Sequence, residues 1–274
     1  MEKQFEWRNS VINYTEYGAG NETLICFHGY GQNCSVFNVF EESLGRQYHI
    51  VSIDLPYQGK TIWRERKKLD NTLLLDLMLS FLNHIDASEK VSLLGYSIGG
   101  NYVLGLAQAL PNKINRLWLI AADGLKPKPA FAFVTKTAIG RFLFKLFILY
   151  PGWVFLTAKL LKKSGVMSGK VLKFYKSTID TKLKRQELFL RWNSTARITP
   201  GAKNAIRFLQ SSNIGLTLIY GKRDSVISIS TAEKVKKLIP RTQLFVIDKG
   251  HKLLVEETNS ILNEALAKQN NNQL

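Results

Sequence analysis

Apolar residues along the chain form short, nearly continuous runs, separated by stretches in which they recur at helical spacing. The runs have the length of β-strands and end in glycine or polar residues. The runs that predict strands span residues 11–17, 23–29, 49–59, 91–97, 116–124, 215–224 and 243–251. The stretch 71–85 (NTLLLDLMLSFLNHI) is typical of the predicted helices. This alternation predicts an α/β fold with a mainly parallel sheet covered by helices on both faces.

The net charge of +17 is unevenly distributed along the 274 residues. From Asp123 to Pro200 there are 16 basic and 3 acidic residues, a net charge of +13, so the other residues carry only +4. The chain is therefore predicted to have a nearly balanced core domain, residues 1–124 and 201–274, and a basic insertion, residues 125–200.

The insertion is also apolar, above all in residues 138–163 (AIGRFLFKLFILYPGWVFLTAKLLKK). Its longest uncharged run, residues 146–158, has 13 residues, whereas a membrane-spanning helix needs roughly 20. We therefore expect no membrane span here. The first interpretation is a helical cap whose apolar face covers the active site. The second is a basic, apolar surface that docks on anionic lipid or admits an acyl chain. A pocket for a substrate with an acidic group is a third.

Cysteine content and the first residues bear on the cellular compartment. The two cysteines, Cys26 and Cys34, are too few for a disulfide framework. The first residues, MEKQFEWRNSVINYTEY, lack the apolar core and small-residue cleavage site of an export signal. Both observations favour a reducing cytoplasm.

The segment Gly95-Tyr96-Ser97-Ile98-Gly99 lies at the end of an apolar strand and before a predicted helix. In a parallel sheet, reactive side chains collect in loops at the carboxyl ends of the strands. A G-x-S-x-G sequence there is typical of a nucleophile elbow, in which glycines leave room for a sharp turn that presents the serine hydroxyl. Ser97 is therefore the candidate nucleophile, and the free N–H groups of the following helix favour negative charge beside it.

A second loop, His28-Gly29-Tyr30-Gly31, follows the strand LICF. We expect the backbone N–H of Tyr30, together with that of Ile98, to form an oxyanion hole beside the serine. His28 is expected to shape this loop by hydrogen bonding and not to act as a base.

His251 is the candidate base, because among the four histidines it alone follows a late strand at its carboxyl end. The acid that would hold its imidazole in one tautomer is Asp224, at the end of the strand LTLIYG. Asp123, which follows the preceding strand, stays open as the alternative acid. Asp248 lies three residues before the histidine and is interpreted as a turn residue.

The segments GYSIGG, HGYG, GKRDSVI and DKGH, with the candidate residues in the order Ser, Asp, His, resemble the α/β-hydrolase superfamily. The resemblance covers nearly the whole chain apart from the insertion. It implies an eight-stranded sheet with a helical cap inserted after the sixth strand, and a serine esterase or lipase-like activity. A serine nucleophile argues against the dehalogenase and epoxide-hydrolase branches. The segment 54–59 (DLPYQG) departs from the D-x-P-G-x-G-x-S pattern of many relatives, which leaves the shape of that loop open.

Functions other than ester hydrolysis are also compatible with parts of the sequence. The same catalytic groups would serve a thioesterase or a C–C bond hydrolase, and both stay open. The expected partner is a small ester or acyl substrate, and no metal or cofactor is implied. Nucleic-acid binding is not expected, because no aromatic–basic recognition motif accompanies the positive charge. A non-catalytic role for the fold is the remaining alternative.

Overall fold

Eight strands form the central sheet of this computed structural model, which describes residues 2–87, 90–152, 156 and 179–270. They are β1 (Glu2–Trp7), β2 (Ser10–Tyr17), β3 (Glu22–Phe27), β4 (Tyr48–Ile53), β5 (Val91–Tyr96), β6 (Ile114–Ile120), β7 (Gly215–Gly221) and β8 (Gln243–Ile247). Their order in the sheet is β1-β2-β4-β3-β5-β6-β7-β8. The pairs β1–β2 and β2–β4 are antiparallel, and the other neighbours are parallel. The carboxyl ends of the six parallel strands β3 to β8 therefore share one edge.

The described helices alternate with these strands as the hydrophobic pattern predicts. They are α1 (Glu41–Leu44), α2 (Asn71–His84), α3 (Gly99–Ala109), α4 (Pro129–Lys136), α5 (Ala138–Leu149), α6 (Lys182–Ile198), α7 (Ala202–Ser211), α8 (Ile229–Leu238) and α9 (Glu257–Asn270). Two 3₁₀ helices span Cys34–Phe40 and Pro111–Lys113. Local sequence determines where some of these helices begin. The Asp70 side chain caps the start of α2 by accepting a hydrogen bond from the Leu73 N–H at 2.9 Å.

Successive strand residues point to opposite faces of the sheet and enter two separate hydrophobic cores. Ile25 and Phe27 of β3 belong to the core that includes α2, α3, α7 and α8. Leu24 and Cys26 of the same strand belong to the core that includes the first 3₁₀ helix, α1 and α9. Both faces of the sheet are therefore buried, and the predicted α/β fold class, with a mainly parallel sheet of eight strands, is confirmed.

One strand, β1, has no counterpart among the predicted strands. Its sequence, EKQFEW, is mostly polar, and only Trp7 at its end is buried. The strand exists because it pairs with β2 along its whole length, from Glu2 opposite Thr15 to Trp7 opposite Ser10. A pattern of apolar residues does not reveal an edge strand that is held mainly by backbone pairing.

Contacts divide the chain into two compact units, Met1–Pro127 with Arg197–Leu274, and Lys128–Ala196. The first unit, here called the core unit, contains the sheet. In the second, here called the inserted unit, the ring of Phe144 lies edge-on to those of Phe189 and Trp192, with centroids 5.2 and 5.6 Å apart. The buried Arg185 side chain donates to the carbonyl oxygen of Ile148 at 3.1 Å. Aromatic packing and a buried guanidinium thus hold the inserted unit together.

Two further properties concern the described ranges alone. No helix within them combines the length and the apolar character needed to cross a bilayer. Nor do three or more of their His, Cys, Asp or Glu side chains gather in an arrangement that could hold a metal ion.

Candidate active site

Ser97 lies in the sharp turn between β5 and α3. Its φ of +51° falls in the left-handed region, which costs a non-glycine residue conformational energy. Backbone N–H groups of Gly100 and Asp123 donate to the Ser97 carbonyl oxygen at 3.0 and 2.8 Å and close the turn. A Cβ at Gly99 would overlap the carbonyl oxygen of Phe27, so only glycine fits there. The sequence G-x-S-x-G is thus folded into a strained turn that presents the serine.

Three side chains from distant parts of the sequence meet at the carboxyl edge of the sheet. The Nε2 atom of His251 lies 3.0 Å from Ser97 Oγ, and its Nδ1 atom lies 2.7 Å from Asp224 Oδ2. One arrangement of protons satisfies both contacts, with Nδ1 donating to the carboxylate and Nε2 accepting from the serine hydroxyl. The geometry therefore allows the imidazole to take a proton from Ser97 while Asp224 holds it in that tautomer.

The Asp224 carboxylate is fixed on both of its oxygens. Oδ1 accepts hydrogen bonds from the backbone N–H groups of Val226 and Ile227 at 2.7 and 2.9 Å. Burial of the side chain works to raise the pKa of Asp224. The hydrogen bonds from His251 and from the two N–H groups outweigh this effect, and the pKa lies below its ordinary value. Asp224 is therefore ionised in the folded protein near neutral pH.

The other two aspartates considered from the sequence have different partners. Asp123 Oδ1 accepts a hydrogen bond from the N–H of Gly124 at 3.0 Å. Asp248 is exposed and forms an ion pair with Arg223 at 3.0 Å. The carboxylate in contact with His251 is that of Asp224, so the geometry favours Asp224 over the alternative acid Asp123.

The loop that contains His28 and Tyr30 lies directly against the elbow. A Cβ at Gly99 would stand 2.9 Å from the His28 carbonyl oxygen. Nε2 of His28 accepts a hydrogen bond from the Leu55 N–H at 3.1 Å, so its Nδ1 donates to the Gly29 carbonyl at 2.7 Å. Both ring nitrogens are thus bonded to backbone groups, as a loop-shaping role requires. Ile98, the other expected oxyanion residue, occupies the position directly before α3.

Two glutamines that the sequence analysis did not single out hold this loop on either side of Tyr30. Gln32 Oε1 accepts from the Gly29 N–H at 2.9 Å, and Gln58 Oε1 accepts from the Gly31 N–H at 2.7 Å. Gln58 belongs to the segment DLPYQG, which departs from the usual pattern. There Tyr57 has a φ of +65°, a conformation that favours the glycine of that pattern. The segment thus keeps a left-handed turn and places Gln58 against the backbone of the loop that contains Tyr30.

Comparison with known proteins identifies the family of the chain. A family model described as alpha/beta hydrolase fold matches residues 22–258. The chain is 23% identical to the hydrolase YugF of Bacillus subtilis in an alignment of 268 positions, which covers 93% of this chain and 93% of that protein. It is also 23% identical to the pimeloyl-[acyl-carrier protein] methyl ester esterase of Vibrio campbellii, with 87% of this chain and 90% of that protein covered.

Solved structures show the same fold. A structure from a study of carboxylesterases of Nitrososphaera gargenis superposes with a TM-score of 0.69 at 19% identity, covering 98% of this chain and 100% of that one. The range that the family model matches, residues 22–258, contains Ser97, Asp224 and His251. The resemblance inferred from the motifs is confirmed: the chain belongs to the alpha/beta hydrolase fold family and is a hydrolase of that fold.

Proposed function

We propose that this hydrolase is a serine esterase that acts through an acyl-enzyme intermediate. The observation that carries the proposal is the continuous hydrogen-bonded chain from Ser97 Oγ through His251 to Asp224, with contacts of 3.0 and 2.7 Å. Each member has the chemical property that its role requires. The Ser97 hydroxyl lies on a strained turn. The contacts of His251 are satisfied by one tautomer of its imidazole, and the buried Asp224 carboxyl has a lowered pKa.

In the proposed reaction, His251 Nε2 takes the proton of Ser97 as Oγ attacks the ester carbonyl. Asp224 stabilises the imidazolium that forms without taking its proton. The imidazolium then protonates the departing alcohol, which leaves the acyl group bonded to Ser97. A water molecule, deprotonated by His251, then attacks this second ester. The imidazolium returns that proton to Ser97 Oγ as the bond to the acyl group breaks, which releases the carboxylic acid and restores the free serine.

The negative charge that develops on the carbonyl oxygen needs donors placed in advance. We assign this role to the backbone N–H groups of Tyr30 and Ile98. Support comes from the hydrogen bonds of Gln32 and Gln58 to the glycines that flank Tyr30, because a fixed loop needs no reorganisation during the reaction. Ile98 precedes the first turn of α3, where the helix dipole favours negative charge.

The choice of an ester as substrate is supported by the esterase from Vibrio campbellii named above and by a 24% identical lipase of Moraxella. The same groups would also cleave a thioester or a C–C bond. The proposal is therefore tested with p-nitrophenyl esters from acetyl to dodecanoyl, alongside an acyl thioester and a vinylogous diketone as the competing substrates.

Wild type should hydrolyse the esters, and Ser97→Ala should lower kcat by about 10⁶-fold, leaving only the residual catalysis of the oxyanion donors and of substrate binding. Ser43→Ala is a matched control, because Ser43 is a buried serine that bonds Asn259 outside the site. Thioester or C–C cleavage with no ester hydrolysis would replace the proposed substrate class. Ester hydrolysis by Ser97→Ala at a rate close to that of wild type would reject the serine mechanism.

A contact with anionic lipid is a further part of the proposal. It is supported by the inserted unit, where α5 exposes the large apolar side chains of Ile139 and Phe142 close to the exposed Lys145. Exposed apolar groups beside cations are what an anionic membrane surface binds. Vesicles that contain phosphatidylglycerol should co-float with wild type and less with Phe142→Ser, whereas Ile62→Ser, a change at an exposed residue of the core unit, should have no effect. Equal flotation of all three proteins would contradict this contact.

We also place the protein in a reducing compartment, the cytoplasm. Cys26 and Cys34 are both buried and form no disulfide. Burial raises the pKa of the Cys34 thiol to about 12, so it is a poor nucleophile for disulfide exchange. Subcellular fractionation with compartment markers tests this location, and recovery of the protein outside the cytoplasmic fraction would contradict it.

A further inference from the structure

A groove in the core unit combines apolar and cationic side chains. It lies between the segment that follows β6, helix α7 and helix α8, and its volume is about 590 Å³. Small-molecule sites in proteins span roughly 300 to 1,000 Å³. Leu125, Ile206 and Leu238 supply apolar surface to its lining. None of the residues that line it belongs to the Ser97 site, so the groove needs its own explanation.

Four cations line the groove, and no Asp or Glu lies among its lining residues. The cations are Lys126, Lys203, Arg207 and Lys234, all of them exposed. Lys203 and Arg207 are four residues apart on α7 and so share one face of that helix. In the described part of the chain, no carboxylate forms an ion pair with any of the four. A concave surface with several unneutralised charges of one sign attracts the opposite charge.

The first turn of α8 adds to this preference. Ser230 and Thr231, both in that turn, line the groove. The N-terminal end of a helix carries a partial positive charge, which favours an anion. Thr231 is only 6% exposed, and its hydroxyl oxygen has no hydrogen-bond partner among the described residues. The wall of the groove thus contains a buried polar group that its own fold leaves unsatisfied.

We propose that this groove binds a free aliphatic carboxylate. The carboxylate group would lie among Lys203, Arg207 and Lys234, and the hydrocarbon chain would lie against Ile206 and Leu238. The charges select an anion, and the apolar side chains select an anion with a hydrocarbon body over an inorganic one. Binding at this groove is independent of the Ser97 chemistry.

The test measures binding of decanoate to the full chain by calorimetry, with acetate and decanol as comparisons. Decanoate should bind saturably, and acetate and decanol should each bind at least about tenfold more weakly, since each lacks one of the two recognised parts. A decanoate analogue with a photoreactive diazirine should cross-link to peptides from α7 or α8.

The variant Lys203→Gln with Arg207→Gln should weaken decanoate binding by about tenfold, because two partly screened charges are removed. The matched control, Lys68→Gln with Lys237→Gln, removes the same charge at exposed lysines that do not line the groove. All four positions are exposed, so both variants should fold. Binding unchanged by the groove variant, equal binding of acetate and decanoate, or cross-links confined to the Ser97 site would each overturn the proposal.

Discussion

The ring of Tyr96 stacks on the imidazole of His251, with centroids 5.5 Å apart and an angle of 29° between the ring planes. Its hydroxyl donates to the carbonyl oxygen of His251 at 2.9 Å. Burial of the phenol, with a smaller contribution from the charge of Asp224, raises the pKa of Tyr96 to about 12. The hydroxyl therefore keeps its hydrogen near neutral pH. Tyr96 holds both the ring and the backbone of the candidate base, and we interpret it as a positioning residue.

Removing only the hydroxyl should separate these two contacts. Tyr96→Phe keeps the stacked ring and loses one hydrogen bond, which is worth about 1 kcal/mol. We expect kcat to fall up to about tenfold with little change in KM, and Tyr96→Ala to lose more. Steady-state kinetics on the best ester measure this. The control is Tyr14→Phe, which loses a tyrosine contact with His84 away from the site. If Tyr96→Phe matches wild type in kcat, the hydroxyl does not position His251.

The lowered pKa of Asp224 predicts how stability depends on pH. The unfolded carboxyl has a pKa of about 3.9, and the folded one lies lower. Stabilisation by the ionised group is therefore fully present above the unfolded pKa and is lost as the pH falls through the folded pKa. Between about pH 5 and pH 3, wild type should lose more unfolding free energy than Asp224→Asn, which cannot titrate there.

Urea unfolding of both proteins at several pH values in that range measures the difference. Asp76→Asn is a matched control, since Asp76 is a half-exposed carboxyl in a surface pair with Arg8. Parallel pH curves for wild type and Asp224→Asn would contradict the lowered pKa.

Gln58 should affect turnover through the loop that contains Tyr30. Gln58→Met keeps the approximate size of the side chain and leaves the Gly31 N–H without its acceptor. Gly31 is exposed, so water can replace the lost acceptor, and we expect a stability loss of about 0.5–1.5 kcal/mol, the usual net contribution of one hydrogen bond. We also expect kcat to fall more than KM rises, because the oxyanion donors lose their fixed position.

A substitution at a buried polar residue outside the site is the control that distinguishes a loss of stability from a loss of catalysis. Thr217→Val in β7 removes a side-chain hydrogen bond to Gln243 from a fully buried position. It should lower stability without lowering kcat at temperatures where the protein is folded. A similar kcat for Gln58→Met and Thr217→Val would show that Gln58 has no special part in the reaction.

Substitution by alanine should affect stability and activity differently at two glycines near the site. Gly99→Ala places a methyl group on the Phe27 carbonyl oxygen, so the elbow must shift and both stability and activity should fall sharply. At Gly250 the nearest atom to a new Cβ is the Arg223 carbonyl oxygen at 3.8 Å, an ordinary contact. Gly250→Ala should therefore fold with nearly normal stability. Thermal unfolding and ester hydrolysis of the two variants compare them, and equal effects would mean that the elbow tolerates a side chain at Gly99.

The sequence predicts the elements of the site because each candidate follows an apolar strand. Ser97 directly follows β5, Asp224 lies three residues after β7, and His251 lies four residues after β8. Parallel strands bring these carboxyl ends to one edge of the sheet. That simple rule is sufficient to bring together residues up to 154 positions apart in the chain.

Features that depend on how two loops meet could not be predicted in this way. The contact between Gln58 and the Gly31 N–H joins residues 27 positions apart, and neither position is marked by periodicity or charge. Tyr96 is part of the elbow motif, but its contact with His251 depends on a side chain that is fixed only in the folded state. Strand β1 depends in the same way on its pairing with β2, which no local pattern shows.

Covalent labelling of Ser97 tests the central claim most directly. An alkyl fluorophosphonate is incubated with wild type and His251→Gln, and the labelled peptide is identified by mass spectrometry while ester hydrolysis is followed in the same samples. We predict that wild type gains one phosphonyl group, located on Ser97, and loses activity in step with labelling, and that His251→Gln labels far more slowly. Full loss of esterase activity with Ser97 unmodified, or equal labelling rates in both proteins, would contradict the account.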